Sequence, residues 1–202
     1  GTVAPNLGKI DFPYTFLGPK TLENIAVKLF GKSKKKSGVF AEINNTTERP
    51  VTKVPCLDFV KKLGHEVIIH DQGIKDNLEH LYKAKYFVKV QGRVIRGNSV
   101  IEAISAGTLV LMNPKDLMHA QILPKECWIH NQKEVAALIK QLDADDKLYK
   151  QLLEKERELV QRYVVDAPLE NLKACLEYKR AGQTVPKPTL RHRIKLFLEL
   201  LS

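Results

Sequence analysis

The residues best suited to chemistry lie in one stretch, Lys85 to Pro114, KYFVKVQGRVIRGNSVIEAISAGTLVLMNP. It reads as a strand, a basic loop containing Gly92, a helix opened by Ser99 and stopped at Gly107, and a strongly apolar strand. The loop carries Arg93 and Arg96 to a helix start at Asn98 and Ser99. Free backbone N–H groups, the positive end of a helix dipole and two guanidinium forks together suit a diphosphate. Glu102 is expected on the first turn of that helix, where a carboxylate accepts hydrogen bonds from a ribose diol. The bland reading is that Glu102 only complements the helix dipole and that both arginines are solvated.

Other polar residues fall at strand ends. Asn44, Asn45, Thr46, Thr47 and Arg49 follow an apolar run beginning at Val39, and all are phosphate donors. Turn chemistry alone also explains such a cluster. His70 and Asp71 end a second run, and Lys115, Asp116 and His119 follow a fourth; base, ribose, sugar or leaving phosphate are the groups they would meet. No HExxH or CxxC spacing is present, and Asp143-Ala144-Asp145-Asp146 reads as a turn between helices rather than a metal motif. No cofactor and no metal requirement are therefore expected. No GxGxxG follows the first strand, which removes a dinucleotide-dependent dehydrogenase.

The elements that position these residues alternate. Strands are predicted at 39–43, 65–70, 85–90, 108–112 and 127–130, with helices across 52–63, 75–84 and 99–107 between them. That alternation predicts βαβ units and a Rossmann-like, doubly wound parallel sheet, an α/β fold whose ligands bind beyond the carboxyl ends of the strands. From Gln132 the pattern is helical, with an interruption at Ala167-Pro168 and an amphipathic tail over Leu190–Leu201. The chain thus divides into an N-terminal arm and short helix (1–36), a nucleotide-binding domain (37–165) and C-terminal helices (166–202).

The Lys85–Pro114 stretch resembles the donor-binding half of GT-B glycosyltransferases, in particular the exostosin-like group. Lys85, Tyr86, Phe87, Gly92, Ser99, Glu102, Ala103, Ala106, Gly107 and Pro114 carry the likeness. It extends over about residues 37–140. Two departures accompany it: Val90-Gln91-Gly92 stands where the family has P-x-G, and Val94 and Ile95 occupy the neighbourhood of an earlier family glutamate. The resemblance implies a nucleoside-diphosphate sugar, carrying UDP or GDP, as substrate, with Glu102 on the ribose. It implies metal-independent transfer to a hydroxyl of a glycan or glycoconjugate. Arg49, Arg93, Arg96 and helix N-termini would steady the departing diphosphate. The base would come from a partner domain of a longer polypeptide, which a chain starting at Gly1 rather than Met suggests, or from Asp11, His70 or Asp71.

Composition weighs the rivals. A net charge of +10 suits anionic partners, so a nucleic-acid-binding module is one alternative. Aromatic residues are only 7% and do not cluster with the lysines, which argues against a stacking surface. A non-catalytic Rossmann-like interaction domain is the other. Three dispersed cysteines and no signal-peptide pattern lead to a cytoplasmic expectation, with the tail able to dock on the domain or lie on a membrane surface.

Overall fold

The computed structural model describes residues 36–41, 58–69, 74–89, 94–95 and 97–183. Four short strands, β1 (Val39–Ala41), β2 (Val67–Ile69), β3 (Tyr86–Lys89) and β4 (Leu109–Met112), form one all-parallel sheet in the order β2-β1-β3-β4. The helices are α1 (Asp58–Lys62), α2 (Ile74–Lys83), α3 (Asn98–Ser105), α4 (Gln132–Ala144), α5 (Asp146–Val160) and α6 (Ala167–Arg180). The chain is an α/β protein with a Rossmann-like sheet followed by C-terminal helices.

Period-two alternation sends the strand side chains to two separate cores. Val39, Ala41, Tyr86, Val88, Leu109 and Leu111 face one side, where Val60 of α1, Val135, Ile139 and Leu142 of α4, and Tyr149 and Leu152 of α5 cover them. Phe40, Phe87, Val110 and Met112 face the other, against Leu81 of α2, Val100, Ala103 and Ile104 of α3, and Val160 of α5. Phe40 and Phe87 are paired across β1 and β3 and stack with ring centroids 5.8 Å apart. With both faces covered, β1, β3 and β4 are buried at every position, as a doubly wound sheet requires.

Helix α5 contributes to both cores because it crosses the outer edge of β4. At the crossing stands Glu156, fully buried, whose two carboxyl oxygens accept from Val110 N at 3.2 and 3.1 Å. The carboxyl takes the place a neighbouring strand's carbonyl would fill. This is why the expected strand over 127–130 does not form. Residues Lys125–Cys127 make a 3₁₀ turn, Asn131 caps α4, and only a single bridge, Met112 to Trp128, joins the sheet. Burial pushes the Glu156 carboxyl well above the usual range, although the Val110 amide and the Cys127 thiol act against it.

A second departure concerns Pro168. A break at Ala167-Pro168 was expected, yet α5 passes into α6 through a π-helical segment, Gln161–Asp166. Proline lacks an N–H and crowds the carbonyl four residues earlier. In the wider π turn Ala167 N donates to Arg162 O, and the helix continues past the proline.

At the amino ends of the strands Asp143, the last acid of α4, gathers three partners. Its carboxylate accepts from Lys85 Nζ at 2.6 Å and Tyr86 Oη at 2.8 Å, and lies 2.6 Å from His65 Nε2. Burial works to raise the Asp143 carboxyl, but hydrogen bonds from Lys85, His65 and Tyr86 outweigh it and hold it low. Its stabilisation is thus present above the usual carboxylate range and is lost as pH falls through the lowered value. Asp143→Ala should cost roughly 1–2 kcal/mol, and urea melts at pH 7 and pH 3 should show the gap to wild type shrinking in acid.

Candidate functional site

The sheet order reverses direction between β1 and β3: β1 leads outward to β2 on one side, while β3 and β4 lie on the other. In open parallel sheets such a reversal leaves a crevice beyond the carboxyl ends of the two central strands. Here those ends are Ala41 and Lys89. The loops that continue from them hold Asn44, Asn45, Thr46 and Arg49 after β1, and Gly92, Arg93 and Arg96 after β3. These seven residues, together with Asp11, His70 and Asp71, lie outside the described residues. Asn98, Ser99 and Glu102 are described, and all three belong to α3.

The first turn of α3 differs from the expected one. Gly97, not Ser99, is the cap, with φ of 109°, a left-handed conformation that side chains beyond Cβ rarely adopt. An added Cβ would also stand 3.2 Å from Leu117 Cδ1. Glycine has no side chain to accept from the helix, so the cap residue itself makes no side-chain bond to the first amides of α3. Asn98 is exposed and Ser99 half-buried at this start. Glu102 falls in the second turn rather than the first and is exposed.

Backbone hydrogen bonds hold the neighbouring segments in register. Asn113 N donates to Lys89 O at 3.1 Å, Asp116 N to Asn113 O at 3.0 Å, and Ile95 N to Asp116 O at 2.8 Å; Met118 N returns to Ile95 O at 3.0 Å. The end of β3, the turn after β4 and the approach to α3 are thereby stitched together. Asn113 Oδ1 accepts from Lys115 N at 3.0 Å and starts the 3₁₀ turn Pro114–Asp116.

Lys89 is the feature that sequence reasoning passed over. It is 2% exposed at the carboxyl end of a central strand. An ammonium is costly to bury without anionic or dipolar partners. Asp116 is one electrostatic partner: burial raises its carboxyl, and the Lys89 charge partly offsets that. Three residues on in the chain, burial lowers the His119 imidazole below its ordinary value. Asp116 Oδ2, His119 Nε2, Gln121 Oε1 and Trp128 Nε1 are all buried without a hydrogen-bond partner among the described residues. Buried polar atoms normally find partners, so four in the single segment 113–128 mark this flank of the sheet edge. The signal available beforehand was positional: Lys89 sits in an otherwise apolar strand terminus directly before the basic loop.

Among the described residues no group of three or more His, Cys, Asp or Glu could hold a metal ion. No helix among them is long and apolar enough to cross a membrane. Compared with protein-family models, with curated proteins and with solved structures, the chain finds no match in any of the three.

Proposed function

We propose that the carboxyl edge of this sheet binds a nucleoside-diphosphate sugar and that the domain serves glycosyl transfer to an acceptor hydroxyl. The observation that carries the reading is the reversal of strand order at β1 and β3 with a buried lysine at its lip. Such a crevice would open beyond Ala41 and Lys89, and α3, the helix that follows β3, has a glycine as its cap residue. Diphosphate oxygens complement the Lys89 ammonium, the first amides of α3 and the Arg49, Arg93 and Arg96 guanidiniums. In transfer, the same cations would stabilise charge developing on the departing diphosphate. Orientation of the donor toward an acceptor supplies the rest. Asp11, His70 and Asp71 are the proposed sources of a base within this chain.

Thermal denaturation with UDP, GDP, ADP, CMP and TDP, each with and without magnesium, tests the reading. A ligand at a hundredfold excess over its Kd adds about 2.7 kcal/mol to folding stability, a readily measured rise in melting temperature. One diphosphate is expected to raise it selectively and without magnesium. The Arg93→Ala/Arg96→Ala double variant should keep its unliganded melting temperature and lose most of that rise. If none of the five nucleotides stabilises the wild type, the donor site is wrong.

A further inference from the structure

The loop that holds Arg93 runs from Lys89 to Ile95, and both of its end residues are hydrogen-bonded to a single segment, Asn113–Met118. At one end Asn113 N donates to Lys89 O at 3.1 Å. At the other, Ile95 is held twice: its N–H donates to Asp116 O at 2.8 Å, and its carbonyl accepts from Met118 N at 3.0 Å. These two bonds make an isolated parallel bridge with Ile95 opposite Leu117. Successive side chains of extended backbone point to opposite faces. Ile95 and Leu117 are accordingly buried, while Val94 and Met118 are exposed. Leu117 reaches further along the arm: a Cβ built on the buried Gly97 would stand 3.2 Å from Leu117 Cδ1 and 3.9 Å from Ile122 Cδ1. Gly97 in turn carries α3, since its carbonyl accepts from Ile101 N at 2.9 Å.

We propose that Leu117 is a positioning residue of the nucleotide site: through Ile95 and Gly97 it fixes the arm leading into α3 relative to Lys89. The role rests on the nucleoside-diphosphate reading of this edge. A leucine binds no phosphate, so it acts only through what it places. That is Arg96, which stands between Ile95 and Gly97 in the chain, and the amides at the start of α3. A diphosphate must meet the Lys89 ammonium and these donors together, and donors held in place beforehand spare the ligand the entropy of ordering them. The contact of Leu117 with Gly97 lies two residues beyond Ile95, at the point where the arm becomes helix. Shortening the side chain slackens the arm there, while the hydrogen bonds of Ile95, backbone to backbone, remain.

Calorimetric titration of the full chain with UDP and with GDP, well below the melting temperature, tests the role. Leu117→Ala should weaken the affinity for the nucleotide that the wild type binds about tenfold, with the circular dichroism spectrum of the wild type. Leu117→Met, of similar volume, should restore it. Met118→Ala, on the exposed side of the same segment, should leave it unchanged. If Leu117→Ala does not fold, Leu117→Val, which lacks the Cδ atoms that reach Gly97, is measured in its place. A merely structural leucine would lower the melting temperature and leave the affinity of the folded protein where it was; that result would overturn the proposal. An equal loss in Met118→Ala would overturn it too, since the effect would then not pass through Gly97. If the wild type binds neither nucleotide, the donor site falls and the leucine's role with it. If the wild type binds and the leucine variants bind as tightly, the site stands and the leucine alone is removed from it.

Discussion

Glu156→Gln is expected to be more stable than the wild type at neutral pH, and Glu156→Ala less stable by about 3 kcal/mol. Both follow from the site where α5 crosses β4. Alanine leaves the Val110 amide buried without an acceptor and opens a void in a packed region, and those costs add. Glutamine keeps the volume and an oxygen for Val110 N, and it cannot ionise. Because burial raises the Glu156 carboxyl above its ordinary 4.5, the folded protein holds a proton that the unfolded chain releases. Stability is therefore complete below that ordinary value and is lost as pH rises toward the folded-state value, by about 1.4 kcal/mol per pH unit. The amide variant lacks this loss. Urea denaturation at pH 5, 6, 7 and 8 should show the two proteins diverging with pH; parallel stabilities across that range would mean the carboxyl is not held neutral.

The second large effect concerns the lip of the crevice. Lys89→Met keeps the length of a side chain that is 2% exposed and removes its charge. The unliganded melting temperature should hold or rise, since a buried ammonium is costly and the neighbouring Asp116 carboxyl is already raised by burial. Affinity for the nucleoside diphosphate that stabilises the wild type should fall roughly 100-fold, the worth of a charge-assisted hydrogen bond in a desolvated site. Calorimetric titration separates the two results. A folded Lys89→Met that binds the nucleotide as tightly as wild type would remove the lysine from the site while leaving the crevice itself open to other contacts.

Much of the frame was legible in the chain. Leu109–Met112 is apolar at every position, so its burial on both faces could be read directly, and the strand–helix alternation carried the parallel sheet with it. Local chemistry misled where distant residues decide. Cys127–His130 has the composition of a strand, but the edge it would occupy is engaged by a glutamate on α5, nearly thirty residues later in sequence. Ser99 has the better side chain for a cap, yet the tight approach of Leu117 gives that place to Gly97. Lys89 resembles any lysine ending a strand. It is buried, and its backbone carbonyl accepts from Asn113 N in the turn after β4, a contact between segments more than twenty residues apart. Of the named site residues, Asn98, Ser99 and Glu102 are described on one helix, the one that follows β3, and the other ten fall outside the described residues.

The carboxyl at Val110 also bears on how these molecules behave in a crowded solution. An open strand edge is a template on which another chain can add a strand, and repeated addition leads to aggregates. Along β4 the outward amide of Val110 is occupied by Glu156, and the carbonyl of Met112 accepts from Ile129 N at 3.1 Å. No register of an incoming strand can satisfy itself there without first displacing a helix. The sheet is thus closed to growth on that side by one side chain and one backbone amide, and the same substitution that unpairs Val110 would reopen half of that edge to its neighbours.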